Sequence, residues 1–144
     1  MENHELIQQL KLAEKVAWSL HGLPYRWGGD DPGTGFDCSG YIIEILKSCS
    51  ILPRSGDWTA QGLFDRLEDK VRIEPQFGCL AFWHGADPER IIHVEFCIDS
   101  KHTLGASGGG SKTTSFEAAS KSNAFIKCRP IREKNLVGYR DPFR

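Results

Sequence analysis

The sequence predicts an α+β domain in which N-terminal helices precede an antiparallel β-sheet and a central helix packs on that sheet. Apolar residues recur at the helical period through residues 5–21 and again through 38–48, whereas from residue 79 onward the apolar runs are short, extended in character and bounded by turns. Helices first and strands afterwards do not build the alternating units of a parallel sheet, so the strands are expected to pair antiparallel with helices on one face. The 144 residues carry no internal repeat, low-complexity run or linker, and are read as one domain over 1–144, large enough to bury about two thirds of its unfolded surface.

In chain order, Leu6, Ile7, Leu10, Leu12, Ala13, Val16, Ala17 and Leu20 make an amphipathic helix that ends near His21-Gly22, with Pro24 beyond. A glycine- and proline-rich loop leads to the second helix, 38–48, whose buried side is Tyr41, Ile42, Ile45 and Leu46. After the turn-rich 52–57, a short third helix over 59–67 turns Leu63, Phe64 and Leu67 inward. Strands are expected at 79–83, 91–98 and 102–106, a helical turn at 116–119, and a last clear strand at 124–131, where Pro130 lacks an N–H and favours a sheet edge or a strand end.

Composition excludes several classes. With 26% charged residues, a formal charge of −1 and no acidic or basic block, nothing points to nucleic acid. The acidic start Met1-Glu2-Asn3-His4-Glu5 shows no signal peptide and no segment suited to membrane insertion, so a chain cytoplasmic on synthesis is expected. Five cysteines at wide spacing, an odd number, argue for reduced thiols. Cys49, Cys79, Cys97 and Cys128 sit among apolar neighbours and read as small buried hydrophobes, whereas Cys38 stands among Asp, Ser and Gly at the start of a helix. The first N–H groups of a helix lack intrahelical partners and carry the positive end of its dipole, which favours a thiolate there.

A cysteine nucleophile needs a base near neutral pH, and histidine suits that role. Of the five histidines, His4 lies near the terminus, His21 at a helix end, and His84 and His102 beside turns. His93 alone stands inside an apolar strand. The residues Tyr25-Arg26-Trp27-Gly28-Gly29, Gly35-Phe36-Asp37-Cys38-Ser39-Gly40, Leu52-Pro53-Arg54 and His93-Val94 together resemble the NlpC-type cysteine peptidases, papain-like endopeptidases of the bacterial cell wall, over roughly residues 10–107. The run 105–110 and the tail 136–143 look similar to phage and prophage members.

The resemblance implies a papain-like fold with Cys38 as nucleophile, His93 as base and no cofactor. The implied substrate is a peptidoglycan stem peptide, cut between D-γ-glutamyl and a diamino acid, with phage tail or lysis proteins as possible partners and action on the wall after release or within a virion. It implies that Tyr25, Asp37 and Ser39 hold the stem peptide's amine, with Arg54 and Trp58 at the cleft rim and Gly28, Gly29 and Gly35 bringing backbone close to the substrate; read locally, Asp37 is equally a helix N-cap and Ser39 a first-turn residue.

The chain departs from that pattern twice. The polar residue that orients the base from the neighbouring strand falls on Gly105; His102 has the wrong strand parity and Ser107 the right parity further along, so the third member is left between these two, a backbone carbonyl or a water. Gly78-Cys79-Leu80 stands where relatives carry Gly-Asp-Leu. Competing readings are an amidase or acyltransferase using the same dyad, or a wall-binding or tail structural domain without catalysis. A zinc site from Cys79, His84, His93 and Cys97 fits no common ligand spacing, and 105–112 fails as a phosphate loop because Ser111 holds the lysine position.

Overall fold

A computed structural model describes residues 3–144; Met1 and Glu2, part of the acidic start, lie outside the described residues. The first helix, α1 (Asn3–Ser19), buries Ala13 and Ala17, small residues that let the next helix approach closely. That helix, α2 (Cys38–Ser48), is apolar over most of its surface, as expected of a helix enclosed by other elements. The two are tied where the buried Tyr41 hydroxyl donates to the Ala17 carbonyl at 2.8 Å. Between them the loop pinches into a two-residue hairpin, β1 (Asp30–Asp31) with β2 (Gly35–Phe36). Helix α3 (Ala60–Arg66) is capped by Thr59, whose side chain accepts the Gly62 N–H.

The remaining elements are β3 (Val71–Arg72), β4 (Leu80–His84), β5 (Ile91–Cys97), β6 (His102–Ser107), α4 (Phe116–Ser122), β7 (Phe125–Pro130) and β8 (Leu136–Arg140). They form a six-stranded sheet in the order β3-β8-β4-β5-β6-β7, antiparallel at every pairing, so the α+β class expected from the sequence is the one observed. As expected for a proline that cannot donate, Pro130 ends a strand, and that strand is a sheet edge.

Strand alternation divides the sheet residues into two layers. Leu80, Phe82, Val94, Phe96, Leu104, Ala106 and Ile126 join Ala13, Tyr41, Ile42, Ile45 and Leu63 of the helices in the main core. On the opposite face Cys79, Ala81, Trp83 and Cys97 make a smaller cluster, flanked by Leu136 and Tyr139. His93 and Glu95 share the parity of Cys97 and therefore this second face.

Three parts differ from expectation. The strand over 124–131 is not the last: Leu136–Arg140 is a further strand that joins β3 to β4 inside the sheet. The turn expected at 116–119 is a helix that continues to Ser122, capped by the Ser115 hydroxyl and closed by Asn123 in the left-handed region. Cys128, read as a buried hydrophobe, is exposed, because it lies on the edge strand. No helix among the described residues is long and apolar enough to cross a membrane.

Candidate active site

The site begins with the start of α2. Asp37 is in an extended conformation and its Oδ1 accepts the Gly40 N–H at 2.7 Å, so it is the N-cap that fixes where the helix begins and leaves Cys38 as the first helical residue. Ser39 Oγ donates to the same oxygen at 3.3 Å. Burial raises the Asp37 pKa above the ordinary carboxylate value, against the lowering effect of the Gly40 and Ser39 hydrogen bonds. Cys38 is half-buried and its Sγ lies 3.8 Å from the Ile92 carbonyl, which brings the helix start against β5 one residue before His93.

His93 completes the contact. Its imidazole pKa is raised to about 9: burial lowers it, and hydrogen bonds to Cys38 and Glu95, with the charges of both, more than reverse this. Nε2 lies 2.6 Å from Glu95 Oε2, so Nδ1 is the ring nitrogen that this carboxylate leaves open. The ring leans on Trp83 with centroids 5.5 Å apart. Glu95 is fully buried; it also receives Thr103 Oγ1 at 2.5 Å, an Arg129 Nη2 hydrogen bond and, more distantly, Arg132 Nη2 at 3.6 Å.

Cys38, His93, Trp83 and Arg129 line a cleft of about 930 Å³ that also contains Tyr25, Trp27, Asp37, Ser39, Ser107, Gly109 and the cations Arg90, Arg132 and Lys134. Tyr25 forms part of the wall; burial first, then the charges of Cys38 and Asp37, push its phenol pKa up and keep it neutral. Gly109, in the glycine run after β6, lies against the Tyr25 ring, and a Cβ there would stand 2.6 Å from Cγ. The glycine is needed so that the loop can close on the tyrosine.

The structure thus brings together Cys38, His93, Tyr25, Asp37 and Ser39. It does not bring Arg54 to the cleft: that residue stands in an exposed bend and turns to solvent. Trp58 lines a smaller hollow of about 170 Å³ beside Asp37 and Ser39, with the Arg66 guanidinium 5.1 Å from its ring centroid. Neither residue proposed to orient the base does so. His102 is turned to Asp99, 3.2 Å from Nδ1, and Ser107 reaches the cleft wall with its buried Oγ unpartnered among the described residues.

The residue that sequence reasoning missed is Glu95. An acidic side chain in a strand reads as solvent-facing, yet its spacing of two from His93 was a usable signal, since strand residues i and i+2 share a face. As for metal, no group of three or more His, Cys, Asp or Glu among the described residues is arranged to hold an ion. Cys79 and Cys97 pack in the apolar cluster, while His84 Nδ1 lies 2.7 Å from the Gly85 carbonyl oxygen.

The model of the NlpC/P60 family matches residues 22–130. The chain belongs to the NlpC/P60 family. It is 32% identical over 98 residues to the bifunctional muramidase/DL-endopeptidase CwlT of Bacillus subtilis strain 168, a match covering 67% of this chain and 29% of that protein. It is also 32% identical over 124 residues to the γ-D-glutamyl-L-lysine dipeptidyl-peptidase of the same organism, covering 85% and 37%. The chain therefore spans little more than a third of these relatives at most. Among solved structures, the peptidoglycan hydrolase RipB from Mycobacterium tuberculosis superposes with a TM-score of 0.68 at 22% identity, over 96% of this chain and 66% of that one, so this NlpC/P60 chain shares its fold.

Proposed function

We propose that this NlpC/P60 chain is a peptidoglycan hydrolase, a cysteine endopeptidase that cuts an amide bond of the stem peptide at the D-γ-glutamyl–diamino acid linkage. The observation that carries the reading is the meeting of Cys38, at a helix N-terminus, with a partly buried His93 whose Nε2 is held by a carboxylate. The names of the relatives, a DL-endopeptidase and a γ-D-glutamyl-L-lysine peptidase, support the substrate class and the bond.

In this mechanism the Cys38 thiolate attacks the amide carbonyl, forming a C–S bond, while the carbonyl oxygen takes the negative charge. The free N–H groups at the start of α2, that of Cys38 first, stabilise it. His93 gives its proton to the nitrogen as the C–N bond breaks, and the amine half leaves. Water, deprotonated by the now neutral His93, attacks the thioester; the C–S bond breaks, restoring the thiolate beside the imidazolium, and the acid half departs as a carboxylic acid whose proton passes to the released amine or to solvent. Tyr25, Asp37 and Ser39 suit the amine of the acyl half, Asp37 as a carboxylate already fixed by its capping bonds. Arg90, Arg132 and Lys134 suit the carboxylates of a peptide built from glutamyl and diamino acid units.

Digestion of purified peptidoglycan followed by mass spectrometry of the new termini tests this. The reading expects a new diamino-acid amine; release of an intact stem peptide from its sugar would replace it with an amidase, and the absence of any new terminus would reject hydrolysis.

A further inference from the structure

We infer that Glu95 is the positioning residue for His93, and that from the base's own strand it fills the place which the neighbouring strand leaves open at Gly105. The inference rests on the reading of Cys38 and His93 as a working pair. On β5 the two side chains stand two residues apart on one face, with Oε2 2.6 Å from Nε2. The β5–β6 register pairs Phe96 with Leu104 and Cys97 with Thr103, and its continuation sets Glu95 opposite Gly105. A Cβ at Gly105 would collide with Glu95, standing 2.8 Å from its Cδ. The carboxylate is folded over the glycine, so position 105 has no room for an orienting side chain while Glu95 is present.

A buried carboxylate is costly unless paired and hydrogen-bonded. Here Oε1 receives Thr103, and Oε2 is shared by His93 and Arg129, with Arg132 beyond. The charged or titratable groups facing the imidazole are thus Cys38 from α2, Glu95 from its own strand, and Arg129 and Arg132 from β7 and the segment after it. An amide or a neutral histidine at this position would only orient the ring. A carboxylate held ionised by two arginines also favours the imidazolium, the partner a thiolate needs. The raised His93 pKa agrees with this arrangement.

The test uses Glu95→Gln, near-isosteric and still an acceptor, with Glu95→Ala and Glu95→Ala/Gly105→Asn. His93 is titrated by proton NMR, its signal assigned with His93→Ala, and Cys38 alkylation is followed by peptide mapping. For folded Glu95→Gln the expected result is a His93 pKa lower by one unit or more, which lowers the imidazolium-to-imidazole ratio at least about tenfold at any one pH, and Cys38 alkylation at pH 7 measurably slower than in the parent. The double variant is expected to alkylate at least about tenfold faster than Glu95→Ala, because an asparagine at 105 can then occupy the vacated space.

An unchanged titration and alkylation rate in Glu95→Gln would overturn the positioning role and make Glu95 a structural ion-pair partner. A double variant no faster than Glu95→Ala would overturn the claim about position 105. These readouts need no peptidoglycan: a parent protein that shows the shifts yet leaves peptidoglycan intact would reject the proposed substrate and keep this inference.

Discussion

Replacing Arg129 by methionine keeps a long apolar stem and removes the guanidinium, and the consequence falls on Glu95. That carboxylate is fully buried and would keep only His93, Thr103 and Arg132, whose Nη2 is 3.6 Å away. Removing one partner of a buried ion pair costs about 3–5 kcal/mol. The Arg129 side chain is 26% exposed and Arg132 can take up part of its role, so solvent screening and substitution reduce the expected loss to about 2–3 kcal/mol at pH 7.

The pH dependence fixes the sign of this effect. Burial by itself would raise the Glu95 pKa, but the hydrogen bonds and charges of His93 and then Arg129 hold it well below the usual carboxylate range. A carboxyl depressed in the folded state contributes stability that is present above its unfolded value and lost as pH falls through the folded one. In Arg129→Met the folded value moves up, so the gap between parent and variant is full near neutrality and closes only as pH falls through the variant's folded value towards the parent's. Urea unfolding followed by circular dichroism at a series of pH values from 7 downward measures the gap. A loss under about 0.5 kcal/mol at pH 7 would refute the description of Glu95 as an anion dependent on Arg129.

His93 supplies the opposite pH signature: its raised pKa contributes stability that is complete below the ordinary histidine value and lost as pH rises through about 9. The stability difference between the parent and His93→Gln should therefore shrink between pH 6.5 and 9, and a constant difference would contradict it. Gly109→Ala drives a methyl group into the Tyr25 ring and is expected to cost about 1–3 kcal/mol and to raise KM for stem-peptide substrates. Unfolding curves and steady-state kinetics check both effects, and a variant equal to the parent in both would show that the loop does not seat Tyr25. Tyr41→Phe removes the hydrogen bond to the Ala17 carbonyl and should lower stability by about 1 kcal/mol, read from the same urea curves; no change would mean that the α1–α2 contact does not depend on it.

Much of this was legible in the sequence, for identifiable reasons. Helical periodicity located α1 and α2 because their inward residues repeat strongly, and the Asp37-Cys38-Ser39 step marked a helix start because a capping side chain precedes an apolar run. β8 was not legible as a strand: it has five residues, contains Gly138 at a φ of 153°, and owes its position to pairing with β3 and β4, which are distant in sequence. The exposure of Cys128 likewise depends on β7 being an edge, a property of sheet order and not of neighbouring residues. Glu95 was hidden because the usual meaning of a charged strand residue is exposure, and only its partners from β6, β7 and the segment after β7 reverse that meaning.

The five cysteines provide the most direct measurement of the central claim. Burial is the first cause raising the Cys49 thiol to about 11, and the Cys79 and Cys97 thiols also, while Cys128 is exposed but likewise raised, so it shows how an accessible thiol without a histidine behaves. With a small alkylating agent at pH 7 and peptide mapping, Cys38 should label at least about tenfold faster than Cys128, and His93→Ala should remove that advantage. Equal labelling of Cys38 and Cys128 in the parent, or an advantage that survives His93→Ala, would contradict a thiolate activated by His93.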